Sequence, residues 1–112
     1  PPRRPQSGTL SYGEMNDLSG KQRRFLRGVG NRLKPCVNVG KEGVSPELLG
    51  AIEDAYSNQE LIKLKLERNC PIDRKEVGPV LARVTDSYLV QILGQTVLLY
   101  RPHEENPTIQ LP

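Results

Sequence analysis

Tryptophan is absent from this sequence, and phenylalanine occurs once, at Phe25, beside four tyrosines. A core must therefore be assembled from aliphatic side chains. Cysteine is equally scarce: Cys36 and Cys70 stand far apart and form no Cys-x-x-Cys pair, which points to reduced thiols in a cytosolic compartment rather than a disulfide framework. The one histidine, His103, lies beyond Pro102 near the C-terminus. Nucleophilic catalysis needs an activated serine or cysteine with a base in reach, and a metal site needs clustered His, Cys or carboxylates. Neither pattern is present, so we expect no enzyme, no metal and no cofactor. The segment Gly40-Lys41-Glu42-Gly43 lacks the glycine spacing and Lys-Ser/Thr ending of a P-loop, and no Gly-x-Gly-x-x-Gly follows a strand pattern, which leaves nucleotide chemistry unsupported. No apolar run reaches the length of a membrane span, and the Pro- and Arg-rich N-terminus has no apolar h-region. These absences lead us to expect a soluble, cytoplasmic protein with no membrane contact and no small-molecule substrate. The first residue is Pro1 rather than Met, as expected of a processed or excised chain.

What the sequence does have is charge, unevenly placed. A chain of 112 residues with sixteen basic and thirteen acidic side chains is one small domain with a single core and a net charge of +3. Residues 1–34 hold eight of the basic residues and only two of the acids, so the remainder is net acidic. A concentrated basic surface fits a polyanionic partner, although a solvated helix face produces the same count.

Residues 1–17 are rich in Pro, Gly, Ser and other polar residues without apolar periodicity and read as a flexible leader, with Arg3 and Arg4 on a solvated tail. From Ser19, an N-cap, the spacing predicts a helix to Arg32 or Leu33. Leu18, Phe25, Leu26, Val29 and Leu33 fall on one side, and Arg23, Arg24, Arg27 and Lys34 on the other. That outer side carries no acid, and an external anion would relieve the like-charge repulsion. Residues 36–39 read as a short strand. A second helix over residues 45–57 presents Leu48, Leu49, Ile52, Ala55 and Tyr56 as a core stripe, with Glu47 complementing its dipole. Residues 60–67 alternate as a strand, with Ile62, Leu64 and Leu66 one way and Leu61, Lys63 and Lys65 the other. Those lysines either extend a basic surface or guard the sheet against aggregation.

Asp73 and Glu76 form a capping-box pattern for a third helix, which Gly78-Pro79 should either kink or delay. Residues 88–93 and 96–101 read as strands joined by Gly94-Gln95 in a type II′ turn. Both are apolar at nearly every position, which argues for an interior or doubly covered position in the sheet, with the basic first helix a candidate to cover its second face. Tyr100 and Arg101, at the end of a strand, fit a ligand contact or, more commonly, a structural edge. Residues 103–112 form an extended tail on which Ile109 and Leu111 alternate and could dock. The expected fold is α/β, a helix followed by β-α-β-α-β-β around a four-stranded mixed sheet.

The candidate site is the junction after the first strand. Gly40-Lys41-Glu42-Gly43 leads into a helix signalled by Ser45 as N-cap and Pro46 at the first position. Glycines let the backbone approach a ligand, the helix start directs unpaired N–H groups to the same place, and Lys41 adds a charge. Two glycines around a turn are more often simply a turn. KH modules clamp single-stranded nucleic acid with such a loop, but they set it between two helices, an order this chain does not share.

The segments LSGKQRRFLRG, LKPCVNVGKEGVSPELL, AIEDAYSNQELIKLKL and VQILGQTVLLYRP together resemble the CRM domain (chloroplast RNA splicing and ribosome maturation), in its stand-alone bacterial YhbY form, over residues 18–102. The resemblance implies a fold similar to the C-terminal domain of translation initiation factor three, RNA binding through the ribosomal RNA backbone, and association with large-subunit (50S) ribosomal precursors. It places the family's Gly-x-x-Gly on Gly40, Lys41, Glu42 and Gly43 and its basic helix on Lys21, Arg23, Arg24 and Arg27, to which the reading of the residues adds Ser45 and Lys34. Glu42 is an acid inside a loop meant for phosphate. The expectation is a monomeric RNA-binding ribosome-assembly factor. The alternatives are a module docking on a ribosomal protein or translation factor, and an RNA-splicing or RNA-chaperone role.

Overall fold

The computed structural model describes residues 18–105 and 107–112; the leader assigned to residues 1–17 lies outside the described residues. Ser19 opens the first helix through both halves of a capping box: its Oγ accepts from the Gln22 N–H at 3.1 Å, and its own N–H donates to Gln22 Oε1 at 3.1 Å. The elements in order are α1 (Gly20–Gly30), β1 (Val37–Val39), α2 (Pro46–Asn58), β2 (Leu61–Leu66), α3 (Arg74–Val84), β3 (Tyr88–Leu93) and β4 (Thr96–Tyr100). This is the α/β order expected from the sequence. The first helix stops sooner than its apolar spacing suggests: after Gly30 the amides of Arg32 and Leu33 bond three residues back, to Val29 and Gly30, and unwind the chain into a turn.

The sheet has the order β1-β2-β4-β3. β1 and β2 are parallel, as their helical crossover requires, and β4 is antiparallel to both β2 and β3. The two apolar hairpin strands therefore differ in position. β4 is interior, with residues 97–100 all buried, whereas β3 is an edge, where only Val90 is fully buried. β4 thus takes the interior position and β3 the doubly covered one, with Leu89 packed against the core on one face and Tyr88 and Val90 in the core on the other. Gly94 sits at φ +60° at the first turn position, as a type II′ turn demands.

Each face of the sheet has its own core. On one, Val37, Val39, Ile62, Leu64, Val97 and Leu99 meet Leu48, Ile52 and Tyr56 of α2 and Val77 and Leu81 of α3. On the other, Leu26 of α1 packs with Leu61, Val90, Leu98 and Tyr100, joined by Leu18, Val29, Leu33 and the tail residues Ile109 and Leu111. So α1 does pack on the second face, over part of it, and the tail does dock. Full burial of each such aliphatic side chain contributes about 1.5–3 kcal/mol. Phe25, predicted for the apolar side of α1, is 40% exposed; it lies one residue, or 100°, before the central residue Leu26 and falls off the edge of the stripe.

The third helix starts where Asp73 caps it, accepting from the Lys75 N–H at 3.1 Å, and it stays helical through Pro79. Gly78 explains why it persists. This residue is buried against β3, where a Cβ would approach Ile92 Cδ1 to 3.1 Å and Leu89 Cδ1 to 3.2 Å. Helix and strand pack closely enough there to offset the hydrogen bond that proline removes.

Candidate nucleic-acid interface

All strand registers place three connections at one end of the sheet, called the upper end below: residues 40–45 between β1 and α2, residues 67–73 between β2 and α3, and the Gly94-Gln95 turn. They are tied together. The Leu66 N–H donates to the Gln95 carbonyl at 2.8 Å, the Glu67 N–H to the Val39 carbonyl at 2.8 Å, and Arg74 Nη1 to the Gly94 carbonyl at 3.0 Å.

Within the first connection, residues 40–43 form a tight turn closed by the Gly43 N–H on the Gly40 carbonyl at 3.0 Å. Gly43 has φ +63° and is packed so closely that a Cβ would come within 3.2 Å of Ile72 Cδ1. Both features favour glycine at this position. Its amide is committed to the turn, so the loop's exposed members are Lys41 and Glu42. Ser45 Oγ accepts from the Leu48 N–H at 3.1 Å as the cap of α2, leaving its hydroxyl proton free to donate outward. Beside this turn lies an open groove of about 340 Å³ lined by Cys36, Asn38, Lys41, Glu42, Ser45 and Glu47 among others. Two carboxylates beside one lysine weaken the anion-attracting field of the helix start, so charge for a polyanion must come largely from elsewhere.

The basic residues of the first helix are at hand on the other face of the sheet. Lys21 and Arg24 are exposed and Arg27 is half-buried, whereas Lys34, predicted for the same helix face, is exposed in the connection past the end of α1 at Gly30. Arg23 is different: its Nη1 donates to the Leu89 carbonyl of β3 at 3.3 Å, so it braces α1 on the sheet. Among the described residues no carboxylate pairs with Lys21, Arg24, Arg27, Lys34 or Lys41. Lys63, half-buried, and Lys65, exposed, lie on this face too and are likewise unpaired among the described residues. The alternation of residues 61–66 signals their direction but cannot say that the sheet above them stays open.

The opposite, lower end carries polar groups of another kind. Arg101 grips Glu53 through two bonds of 2.9 and 2.8 Å, donates to the Thr85 carbonyl at 2.8 Å and lies 4.3 Å from the centre of the Tyr56 ring. The Arg101 bonds hold the Glu53 carboxyl below its ordinary range, and burial holds the Tyr56 phenol above its own. Tyr56 Oη donates to Ser87 Oγ at 2.8 Å. Tyr100 is buried and stacks on Tyr88 at 6.0 Å, and burial pushes its phenol up to about 12. Tyr100 and Arg101 are thus both engaged in structural contacts at the end of β4. Missed from the sequence is Glu60, a side chain with no solvent exposure whose two oxygens accept from the N–H groups of His103, Thr108 and Ile109 and from the Thr108 hydroxyl, at 2.6–2.9 Å. It fastens the tail to the domain. No pattern of spacing marks it, since its partners lie more than 40 residues away.

Among the described residues no three His, Cys, Asp or Glu side chains gather as a metal site, and no helix is long and apolar enough to cross a membrane. Both cysteines are free thiols.

Residues 18–101 match the model of the CRS1 / YhbY (CRM) domain. The chain belongs to this family. It is 41% identical over 95 residues to YqeI of Bacillus subtilis, a protein named as a probable RNA-binding protein, covering 85% of this chain and 99% of that one. A Haemophilus influenzae protein named as RNA-binding is 38% identical over 98 residues, 88% of this chain and 98% of its own length. The solution structure of a Staphylococcus aureus protein proposed to bind RNA superposes with a TM-score of 0.72 at 38% identity, covering 85% of this CRM chain and 99% of the other. The match begins at Leu18 and ends at Arg101, so the tail fastened by Glu60 lies beyond the family segment.

Proposed function

We propose that this CRM protein binds RNA, acting in the cytoplasm as a monomeric assembly factor on large-subunit ribosomal precursors. It neutralises phosphates with Lys21, Arg24, Arg27, Lys34 and Lys41, and the turn at residues 40–43 fixes where Lys41 and the Ser45 hydroxyl meet the backbone. The observation that carries this reading is the set of exposed basic residues on α1 and the upper loops with no carboxylate partner among the described residues. Unrelieved like charge on a small domain is destabilising by itself and is relieved by a polyanion. The names of the bacterial relatives favour the same reading. Phosphate contacts position rather than specify, so sequence preference should be low.

The test is charge reversal. Lys41→Glu combined with Arg24→Glu, both at exposed positions, should weaken RNA binding by about tenfold or more and flatten the salt dependence, by roughly 0.7 to 0.9 in the log–log slope for each phosphate no longer neutralised. The melting temperature should not change. Unaltered affinity would discard the surface. The acids Glu42 and Glu47 in the groove favour a second reading, docking on a basic ribosomal protein; a partner that stays bound after nuclease treatment of the isolated complex would select it.

A further inference from the structure

Among the described residues, the second face of the sheet is only half covered. α1 and the tail pack on Leu61, Val90, Leu98 and Tyr100, toward the lower end. Above them one register line crosses all four strands: Asn38 pairs with Lys65, Lys65 with Thr96, and Thr96 with Leu93. Cross-strand partners share a face. Lys65 and Thr96 alternate in step with Leu61 and Leu98, so this line lies on the α1 side. Asn38, Lys65 and Leu93 are exposed and Thr96 half-buried, with its hydroxyl donating to the Leu93 carbonyl at 2.7 Å. Lys63 and Gln91, half-buried, flank the line on the side of α1.

The chemistry of this strip selects its occupant. It offers two ammonium groups without a carboxylate partner among the described residues, two amides, a hydroxyl and one aliphatic side chain, and no aromatic ring. Among the described aromatic residues, Tyr56 and Tyr100 are buried, Tyr88 is stacked on Tyr100 at the covered end, and Phe25, exposed, belongs to α1 and not to the four strands that form the strip. Splayed single strands are held by bases stacked on rings, and the strands of the strip present none. A-form helices present 2′-hydroxyls and phosphates across a wide, shallow minor groove, and they are read by shape, amides and ammonium groups. Lys63 and Lys65, two residues apart on β2, sit about 6.6–6.8 Å apart along the strand. Four strands make a shallow surface about 14 Å across.

Taking RNA binding as given, we infer that the uncovered strip centred on Asn38, Lys65, Thr96 and Leu93 seats the sugar–phosphate surface of double-helical RNA, which makes the ligand class a base-paired element rather than an unpaired strand. α1 borders the strip and its exposed basic residues extend it.

The test measures binding of the full chain to a 20-base-pair RNA hairpin stem, an unstructured single strand of equal length and a DNA duplex of the same sequence. The hairpin should bind about tenfold more tightly than either. Lys65→Glu should lower hairpin affinity about tenfold with an unchanged melting temperature. Lys65→Gln, which removes charge without reversing it, should lower it less and serves if the first variant misfolds. Single strand or DNA duplex bound as well as the hairpin would overturn the inference while leaving RNA binding intact, and so would undiminished hairpin binding by both variants. Failure of every RNA to bind would overturn RNA binding itself, and this inference with it.

Discussion

The two ends of the sheet use charge in opposite ways. At the lower end Glu53, Glu60 and Arg101 all have fixed partners, and each bond closes a gap between elements distant in sequence. At the upper end Lys41 and Lys65 are exposed and have no carboxylate partner among the described residues. A charge satisfied inside the protein contributes to stability, and one left unsatisfied at the surface contributes little to it, but remains available to a ligand. The comparison therefore makes a separable claim: changes at the lower end should alter stability and spare RNA affinity, and charge changes at the upper end should do the reverse.

The largest expected effect is at Glu60. Replacing it with alanine leaves the amides of His103, Thr108 and Ile109 without their acceptor and should cost about 3 kcal/mol or more in chemical denaturation, with faster hydrogen exchange across residues 103–111. Burial alone would raise the Glu60 carboxyl, but the bonds from His103, Ile109 and Thr108 outweigh it and hold the group below its ordinary range. Its folded value thus lies below that of the unfolded chain, about 4.3 for a glutamate. The stabilisation is complete above that value and is lost as pH falls through the lower, folded one. Wild type and Glu60→Ala should therefore differ most near neutrality and converge in acid. A constant difference down to the acid limit would show that packing, not the carboxylate, holds the tail.

Next in size is Gly43→Ala, which tests a place where the upper end carries structural demand. A side chain at φ +63° costs about 1–2 kcal/mol, and its Cβ would also press on Ile72. Stability and affinity should fall together, because the turn that aims Lys41 is distorted. Falling stability with unchanged affinity would detach the loop from RNA binding.

What could be read in advance follows the range of the interactions. Caps, alternation and turn chemistry act over a few residues, so Ser19, Ser45, Asp73, Gly94 and every strand were legible in the sequence. The strand order was not, because nothing local distinguishes interior β4 from edge β3; the difference is made by β2 pairing with β4. Phe25 was misplaced because helical spacing gives angles but not where the sheet surface ends. The residues proposed for RNA were legible as types, while the division between Arg23, which braces the sheet, and the exposed Arg24 needed the position of β3.

The smallest expected effect concerns Glu42, the acid beside Lys41 in the turn. It is exposed and has no partner among the described residues, so its charge is screened by water and counts only when a ligand arrives. If RNA passes over the turn, Glu42→Gln removes one repulsion worth about 0.4–1 kcal/mol, and affinity should rise by roughly two- to fivefold at low salt, with the gain shrinking as salt is added. Stability should not move. If affinity is unchanged at low salt while Lys65→Glu still weakens binding, RNA rests on the sheet strip and α1 without crossing the turn, and the glycines there serve the fold alone.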